Sequence, residues 1–68
     1  DLDAYLRLGD CLGRKGDREA AIATFRYVVE NVSPDCAQAY QQLSELYRAA
    51  GKESESRRAL AKCRALSR

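Results

Sequence analysis

The stretch from Leu8 to Asp17 holds three glycines around a basic pair, a composition found where a backbone loop cradles phosphate. A phosphate loop needs four residues between its first glycine and a Gly-Lys pair, then Ser or Thr, all after a strand. Here Gly9 and Gly13 enclose three residues, and Lys15 is followed by Gly16. The spacing therefore argues against nucleotide binding and predicts a structural role for the glycines.

The cysteines do not have the spacing of a metal site. Cys11, Cys36 and Cys63 form no Cys-x2-Cys pair, and the chain contains no histidine that could complete a zinc site. We therefore predict no metal and no cofactor. Three scattered thiols behave as small apolar residues in a reducing compartment, which weakly favours the cytoplasm and leaves the location otherwise unknown.

The carboxylates also give no catalytic constellation. They are scattered over predicted first turns and exposed faces instead of forming a matched pair beside a nucleophile. In a first turn a carboxylate complements the helix dipole, which is a structural role. The sequence therefore predicts no enzyme activity. The residues assigned to this structural role are Asp1, Asp3, Asp17, Glu19, Glu53 and Glu55.

Length and charge restrict the remaining possibilities. The 68 residues can hold one small core, and 46% apolar with 32% charged residues is ordinary for a folded domain. The net charge of +2 is small compared with the charge of the basic patch on a nucleic-acid-binding protein. No apolar run reaches the roughly 18 residues that a membrane span needs. Because the chain begins at Asp1 and lacks methionine, we expect a piece of a longer protein.

Apolar residues recur every three or four positions, and the chain has a single proline, which together predict an almost wholly helical structure. Asp17 and Asp35 are suited to cap the helices that follow them, and Asp35 with Gln38 has the spacing of a capping box. Helix breaks are predicted at Gly16-Asp17, Ser33-Pro34-Asp35 and Gly51-Lys52. The predicted helices cover about residues 2–14, 18–32, 36–49 and 53–66.

The two halves of the chain repeat each other at a shift of 35 residues. The similar positions lie along predicted inner helix faces and at the turn between paired helices, and a period of this size indicates a helical solenoid. The identical pairs are Ala4/Ala39, Tyr5/Tyr40, Leu8/Leu43 and Gly16/Gly51.

This pattern resembles the tetratricopeptide repeat, a helix–turn–helix unit with the signature W-x2-L-G-x2-Y, then A-x3-F, then P. The first half reads Tyr5-x2-Leu8-Gly9-x2-Leu12, Ala21-x3-Phe25 and Pro34; the second reads Tyr40-x2-Leu43-Ser44-x2-Tyr47 and Ser56-x3-Leu60. The resemblance implies an all-α fold of two stacked units, residues 1–34 and 35–68. It also implies a non-enzymatic scaffold that binds a protein or peptide.

The signature positions predict the core. Tyr5, Leu8 and Leu12 should face Ala21, Phe25 and Val28, and in the second unit Tyr40, Leu43 and Tyr47 should face Leu60 and Cys63. Gly9 and Ser44 occupy the small-residue position where paired helices cross. Ser56 replaces the usual alanine and is expected to weaken the packing of the second unit.

The two ends of the chain differ. Arg57 and Arg64 stand one unit after Ile22 and Val29, which predicts a solvated end like that of a terminal repeat. Leu2 and Leu6 lie outside the core stripe of the first helix and are expected to need a cover. We therefore predict that they contact an upstream repeat, or another copy of the fragment, at the C-terminal end of a longer array.

The resemblance places a concave groove on the first helix of each unit. The residues predicted to line it, and so to contact a peptide, are Asp3, Leu6, Arg7, Asp10 and Arg14, followed by Gln38, Gln41, Gln42, Glu45 and Arg48. The pairs Asp3/Arg7 and Asp10/Arg14 have i,i+4 spacing, so they are equally suited to stabilise a solvated helix face.

Two other functions remain open. Pentatricopeptide repeats, which bind RNA, have a period of 35 and often end in a Pro-Asp like Pro34-Asp35; their base-reading position would hold Arg7 and Gln42. Six basic and two acidic residues in 52–68 give this interpretation weak electrostatic support. The third function is purely architectural, an end piece that holds a larger assembly together.

Overall fold

The computed structural model describes residues 1–67; Arg68, the last residue of the predicted second unit, lies outside them. Across the described residues the chain is all-α, with no strand, as predicted. The four α-helices are α1 (Leu2–Arg14), α2 (Arg18–Tyr27), α3 (Ala37–Ala49) and α4 (Glu53–Leu66).

Two of the helices start at aspartate caps. The Asp1 carboxylate accepts a hydrogen bond from the Asp3 backbone N–H at 3.1 Å, and Asp17 accepts one from the Ala20 N–H at 3.4 Å. These bonds satisfy backbone donors that a helix N-terminus otherwise leaves unpaired.

The predicted cap at Asp35 is wrong. Helix α3 follows Cys36, which has no side-chain capping bond. Pro34 and Asp35 instead occupy the middle of a turn closed by the Cys36 N–H, which donates to the Ser33 carbonyl at 3.2 Å. Proline at the first central position of such a turn is favoured because its φ is already set.

The predicted second helix, residues 18–32, has the expected extent but not a uniform geometry. Its last residues, Val28–Val32, form a single π-helical turn, in which the Ser33 N–H donates to the Val28 carbonyl at 2.7 Å. Ser33 is extended (φ −149°, ψ 94°) because the ring of Pro34 disfavours helical backbone in the residue before it. The helix therefore ends there.

Both hairpins turn on a left-handed glycine, as predicted for Gly16 (φ 88°) and Gly51 (φ 80°). In each turn the residue after the glycine donates to a carbonyl five residues back: Asp17 to Leu12 at 2.9 Å, and Lys52 to Tyr47 at 2.8 Å. This is the Schellman motif, which satisfies the last carbonyls of a helix. The two turns lie 35 residues apart, so the sequence period is also a structural period.

The core lies where α2 packs between α1 and α3, and α4 packs on α3. The molecule is a slab of about 31 × 30 × 16 Å. Tyr5, Leu12, Tyr40 and Cys63 are partly buried. The buried apolar residues are Ala21, Ile22, Phe25, Val28, Ala39, Leu43, Tyr47 and Ala59.

Two residues predicted for the core are exposed. Leu8 is 49% exposed, whereas Leu43, the same residue type at the same place in α3, is 3% exposed. The difference arises because α2 covers α3, while no helix within residues 1–67 covers the outer side of α1. Leu60 is 37% exposed for the corresponding reason on the outer side of α4. A hairpin alone cannot bury these positions.

The helix crossings use the predicted small residues, Gly9 and Ser44. A methyl group on Gly9 would lie 2.6–2.9 Å from the ring atoms of Phe25, so only glycine admits this ring. In the second hairpin the Ser56 hydroxyl donates to the Ser44 backbone carbonyl at 2.8 Å. This hydroxyl therefore ties α4 to α3 at the crossing, which an alanine could not do; that Ser56 weakens the packing of the second unit stays a prediction.

Candidate interaction surface

The predicted groove residues of the two hairpins converge on one recess between α1 and α3, with a volume of about 230 Å³. We call it the α1–α3 recess. Helix α1 contributes four predicted residues because an α-helix brings positions three and four apart onto one face, and α3 contributes two. The predicted residues that line it are Asp3, Leu6, Arg7, Asp10, Gln38 and Gln42, beside the edge of Phe25.

The recess continues towards the C-terminal ends of the same helices. There Arg14 and Glu45 join Asp10 and Gln42 around a second depression of about 200 Å³, which also borders Phe25. Eight of the ten predicted residues therefore lie together along one surface.

The other two predicted groove residues, Gln41 and Arg48, lie elsewhere. Arg48 lines a separate depression with Glu53 and Leu60, and the backbone carbonyl of Gln41 accepts a hydrogen bond from the Ser44 hydroxyl at 2.8 Å. Both residues lie one unit after positions that face α3, and residues 1–67 contain no further helix for them to face.

The charges along α1 are already arranged in pairs. Arg7 Nε lies 3.1 Å from Asp3 Oδ2, and Arg14 Nε lies 3.2 Å from Asp10 Oδ2. All four side chains are exposed, so each pair contributes only a few tenths of a kcal/mol to stability. The α3 side of the recess adds the neutral amides of Gln38 and Gln42. The surface is consequently polar and nearly balanced in charge.

Leu2 and Leu6 are not among the exposed apolar residues of the surface. Both are partly buried and pack against the core, and Leu6 lines the α1–α3 recess. Their predicted need for a cover is therefore met in part within the chain. The most exposed large apolar side chain of α1 is Leu8 instead.

The sequence analysis missed a second recess, which we call the α3–α4 recess. It has a volume of about 380 Å³ and is lined by Tyr40, Leu43 and Tyr47 together with residues of α2 and α4. Burial raises the pKa of the Tyr47 hydroxyl above its ordinary value. The signal available in the sequence was the Tyr5/Tyr40 repeat, which marks the same location in both hairpins.

The part of the chain that the structure describes was searched for metal-ligand clusters and for membrane-spanning helices. Residues 1–67 contain no group of three potential metal ligands among His, Cys, Asp and Glu. Their three cysteines are free thiols, of which Cys11 is exposed. None of the described helices has the length and apolar character that a membrane crossing requires.

The paired helices, the glycine turn and the small residue at the crossing all fall within one segment. Residues 3–34 match the family model of the tetratricopeptide repeat. The chain therefore contains a tetratricopeptide repeat. This repeat spans α1, α2 and the π-helical turn. No curated protein and no solved structure matches the chain.

The match of residues 3–34 to this family indicates a general function. Tetratricopeptide repeats are associated with protein–protein interaction, and they typically serve as scaffold modules without catalytic activity. Helical repeats of this kind bury their apolar faces by stacking on neighbours, which leaves extended surfaces for binding. The described residues therefore form a helical-repeat fold of the kind that is associated with protein–protein interaction.

Proposed function

We propose that the two hairpins, residues 1–34 and 35–68, act as a scaffold that binds a peptide or a partner protein along the α1–α3 recess. The observation that carries the proposal is the convergence of side chains from both hairpins on one surface: Asp3, Leu6, Arg7 and Asp10 from α1, and Gln38 and Gln42 from α3. Neither hairpin has this surface by itself, so binding would depend on their stacking.

The side chains of the recess suggest the chemistry of the partner. The amides of Gln38 and Gln42 both donate and accept hydrogen bonds, which matches the backbone of an extended peptide. The carboxylates of Asp3 and Asp10 line the same space, so an anionic ligand would meet like charge there. Leu6 and the edge of Phe25 offer a small apolar contact. Because the charges of the surface are nearly balanced, we expect an uncharged peptide segment with at least one apolar side chain.

The test compares two arginines of the same kind. Arg7 and Arg57 each form an exposed i,i+4 ion pair with an acidic residue, but only Arg7 lines the α1–α3 recess. Partners captured from cell extract by the unmodified chain would be identified by mass spectrometry, and a fluorescent peptide from the best partner would be titrated by anisotropy. We expect Arg7→Glu and Gln42→Ala to weaken binding at least tenfold and Arg57→Glu to leave it unchanged.

Circular dichroism is the control for folding in this experiment. Equal losses for Arg7→Glu and Arg57→Glu, with helicity unchanged, would show that the recess does not bind the partner. The double variant Asp3→Lys with Arg7→Glu restores the ion pair in reverse. It separates the loss of a contact from local repulsion, because only repulsion would be relieved.

RNA binding remains the alternative, and the structure offers one observation for it: Arg7 and Gln42 line the same recess. Three carboxylates, those of Asp3, Asp10 and Glu45, lie along the same surface and would repel a phosphate backbone. RNA binding requires an affinity that falls steeply with salt. The absence of binding to single-stranded RNA at low salt would exclude it.

A further inference from the structure

The α3–α4 recess, with a volume of about 380 Å³, has no part in the proposed function. It shares no lining residue with the α1–α3 recess. Helix α3, on which both α2 and α4 pack, supplies Tyr40, Leu43 and Tyr47 to it. Helix α3 therefore forms the floor of the recess. One wall is formed by α2 with its π-helical turn, and the other by α4.

The stacking of further hairpins would not cover this recess. At the contact between the two hairpins, Phe25 borders Gln42 and Leu46 of α3. The period of 35 residues places Leu60 at the position of Phe25, so a following hairpin would meet the Leu60 side of α4. Leu60 does not line the α3–α4 recess, and neither does any residue of α1, against which a preceding hairpin would lie. The recess therefore stays open in a longer array.

The two walls of the recess differ in charge. On the α2 wall, Arg26 Nη2 lies 3.5 Å from Glu30 Oε2, so this pair neutralises itself, and the wall also includes the partly buried Val29. On the α4 wall, Arg58 and Lys62 are exposed, and neither belongs to an ion pair within residues 1–67. The α4 wall therefore offers two cations that have no anionic partner.

The charge of the recess also changes along its length. At one end, burial raises the pKa of the Tyr47 hydroxyl, the nearby charge of Arg26 lowers it, and that of Glu55 raises it. Charges of both signs therefore lie at this end. Because the two helices of a hairpin run in opposite directions, Lys62, near the end of α4, lies towards Tyr40, near the start of α3. The Tyr40 end is consequently the basic end.

The two cations are not a requirement of the repeat, since the chain has Ala23 and Tyr27 at the corresponding positions one unit earlier. Arg58 and Lys62 lie four residues apart, on one face of α4 and about 6 Å apart along its axis. In an extended peptide, every second side chain points to the same side, and these side chains are about 6.5–7 Å apart. Two acidic side chains separated by one residue therefore match the spacing of the two cations.

The residue between the two acidic ones would face the opposite wall. Alternate side chains of an extended segment point in opposite directions, so this side chain would contact Val29 and the apolar floor. The carboxylates would gain charge-assisted hydrogen bonds from Arg58 and Lys62, which are stronger than neutral ones. The two walls thus complement an acidic, an aliphatic and a second acidic residue in that order.

We propose that the α3–α4 recess binds an extended acidic segment of a partner protein, in which two carboxylates contact Arg58 and Lys62 and an aliphatic side chain between them contacts Val29. An acidic side chain at the Tyr47 end would meet the like charge of Glu55, so the carboxylates lie towards Tyr40. This site is separate from the α1–α3 recess, and one chain can hold a different segment at each.

The probe is a short synthetic peptide with blocked ends, in which Glu-Leu-Glu stands between serines. One control peptide has Gln-Leu-Gln, which removes the charge, and a second has Leu-Glu-Glu, which keeps the charge and breaks the alternation. Each peptide is titrated into the isotopically labelled 68-residue chain while backbone amide resonances are recorded.

Two double variants of the chain with equal net charge are compared. Arg58→Gln with Lys62→Gln removes the cations of the recess. Arg57→Gln with Arg64→Gln removes two arginines of α4 that do not line it. All four residues are exposed and glutamine is a good helix former, so both variants keep their fold, which circular dichroism verifies.

We expect the Glu-Leu-Glu peptide to shift the amides of Val29, Tyr40, Arg58 and Lys62 in a saturable way. Both control peptides should bind the parent chain about tenfold more weakly, and so should the Glu-Leu-Glu peptide to the Arg58→Gln, Lys62→Gln chain, because charge-assisted hydrogen bonds are lost in each case. The chain with the changes at 57 and 64 should bind the probe nearly as tightly as the parent chain.

Equal weakening in the two double variants would show a general attraction by net charge and would overturn the proposal. Equal affinity of the probe and either control peptide would do so too, as would the absence of any shift up to the solubility limit. Tighter binding of single-stranded RNA at the same amides would assign the recess to a nucleic acid instead. None of these results bears on the α1–α3 recess, whose test uses Arg7→Glu and Gln42→Ala.

Discussion

Replacement of Gly9 by alanine sets two known effects against each other. Inside a helix, alanine is favoured over glycine by about 1 kcal/mol. The new methyl group would lie only 2.6 Å from Phe25 Cζ, whereas two carbon atoms in contact prefer about 3.5–4.0 Å. Either the ring or helix α1 must therefore move by about 1 Å, which costs about 1–3 kcal/mol in a packed core. We expect a net loss of about 0–2 kcal/mol.

Gly13→Ala is the control for this change. Gly13 lies four residues later in α1, and a methyl group there would meet Leu46 and Ala21 at the ordinary distances of 3.9 and 4.0 Å. This variant gains helix propensity without a clash, so we expect it to stabilise the chain by about 0.5–1 kcal/mol. The difference between the two variants removes most of the propensity contribution and isolates the steric cost at the crossing, about 1–3 kcal/mol.

Urea unfolding followed by circular dichroism measures both variants, and a double-mutant cycle with Phe25→Leu tests the cause. The second hairpin pairs Ser44 with Leu60, so the Phe25→Leu change should leave room for the methyl group. Gly9→Ala should then be nearly neutral or stabilising in the Phe25→Leu background. The reasoning is refuted if Gly9→Ala stabilises the parent chain as much as Gly13→Ala does, or if its cost persists unchanged in the Phe25→Leu background.

Four further predictions concern single positions. Phe25→Ala, at a side chain 1% exposed, should cost about 3–5 kcal/mol and abolish the cooperative thermal transition; a midpoint lowered by only a degree or two would contradict a central role. Gly16→Ala should lose about 1–2 kcal/mol although its new methyl group has open space, because only the left-handed φ of 88° opposes it; an unchanged urea midpoint would argue against strain. Ser56→Ala should lose about 1 kcal/mol with the hydrogen bond to Ser44, and no loss would mean that this bond adds nothing net. The pKa of Tyr47 is raised in the folded state, so the folded chain keeps the Tyr47 proton to a higher pH than the unfolded chain does. The contribution of Tyr47 to the free energy of unfolding is therefore complete below pH about 10 and decreases above it. Thermal melts across the alkaline range should show a smaller decrease for Tyr47→Phe.

The helices and turns were predictable because each depends on residues close together in the chain. Gly16 and Gly51 end their helices through a backbone conformation that other residues resist, and Asp17 caps through its own side chain. The prediction of a cap at Asp35 was wrong, and the reason again lies in neighbouring residues. Pro34 takes the first central position of a turn and Asp35 the second, so the N-cap is Cys36 and the helix begins at Ala37, one residue later than predicted.

The geometry of the candidate interaction surface was predictable in part. Helical periodicity places Asp3, Arg7 and Asp10 on one face of α1, and the repeat carries that face over to α3. The periodicity cannot say which neighbour a face meets. The resemblance to the repeat family placed Gln41 in the groove by its position in the first helix of the second unit, but Gln41 lines none of the recesses described above.

Leu8 and Leu43 separate what the sequence decides from what the tertiary structure decides. The sequence determines that both are apolar residues on the inner stripe of the first helix of a hairpin, since that depends only on residue type and period. Their burial, 49% against 3% exposed, is decided by whether another helix lies on the outer side. Periodicity describes a helix face, but burial is a property of two surfaces in contact, and only the packed structure contains the second one.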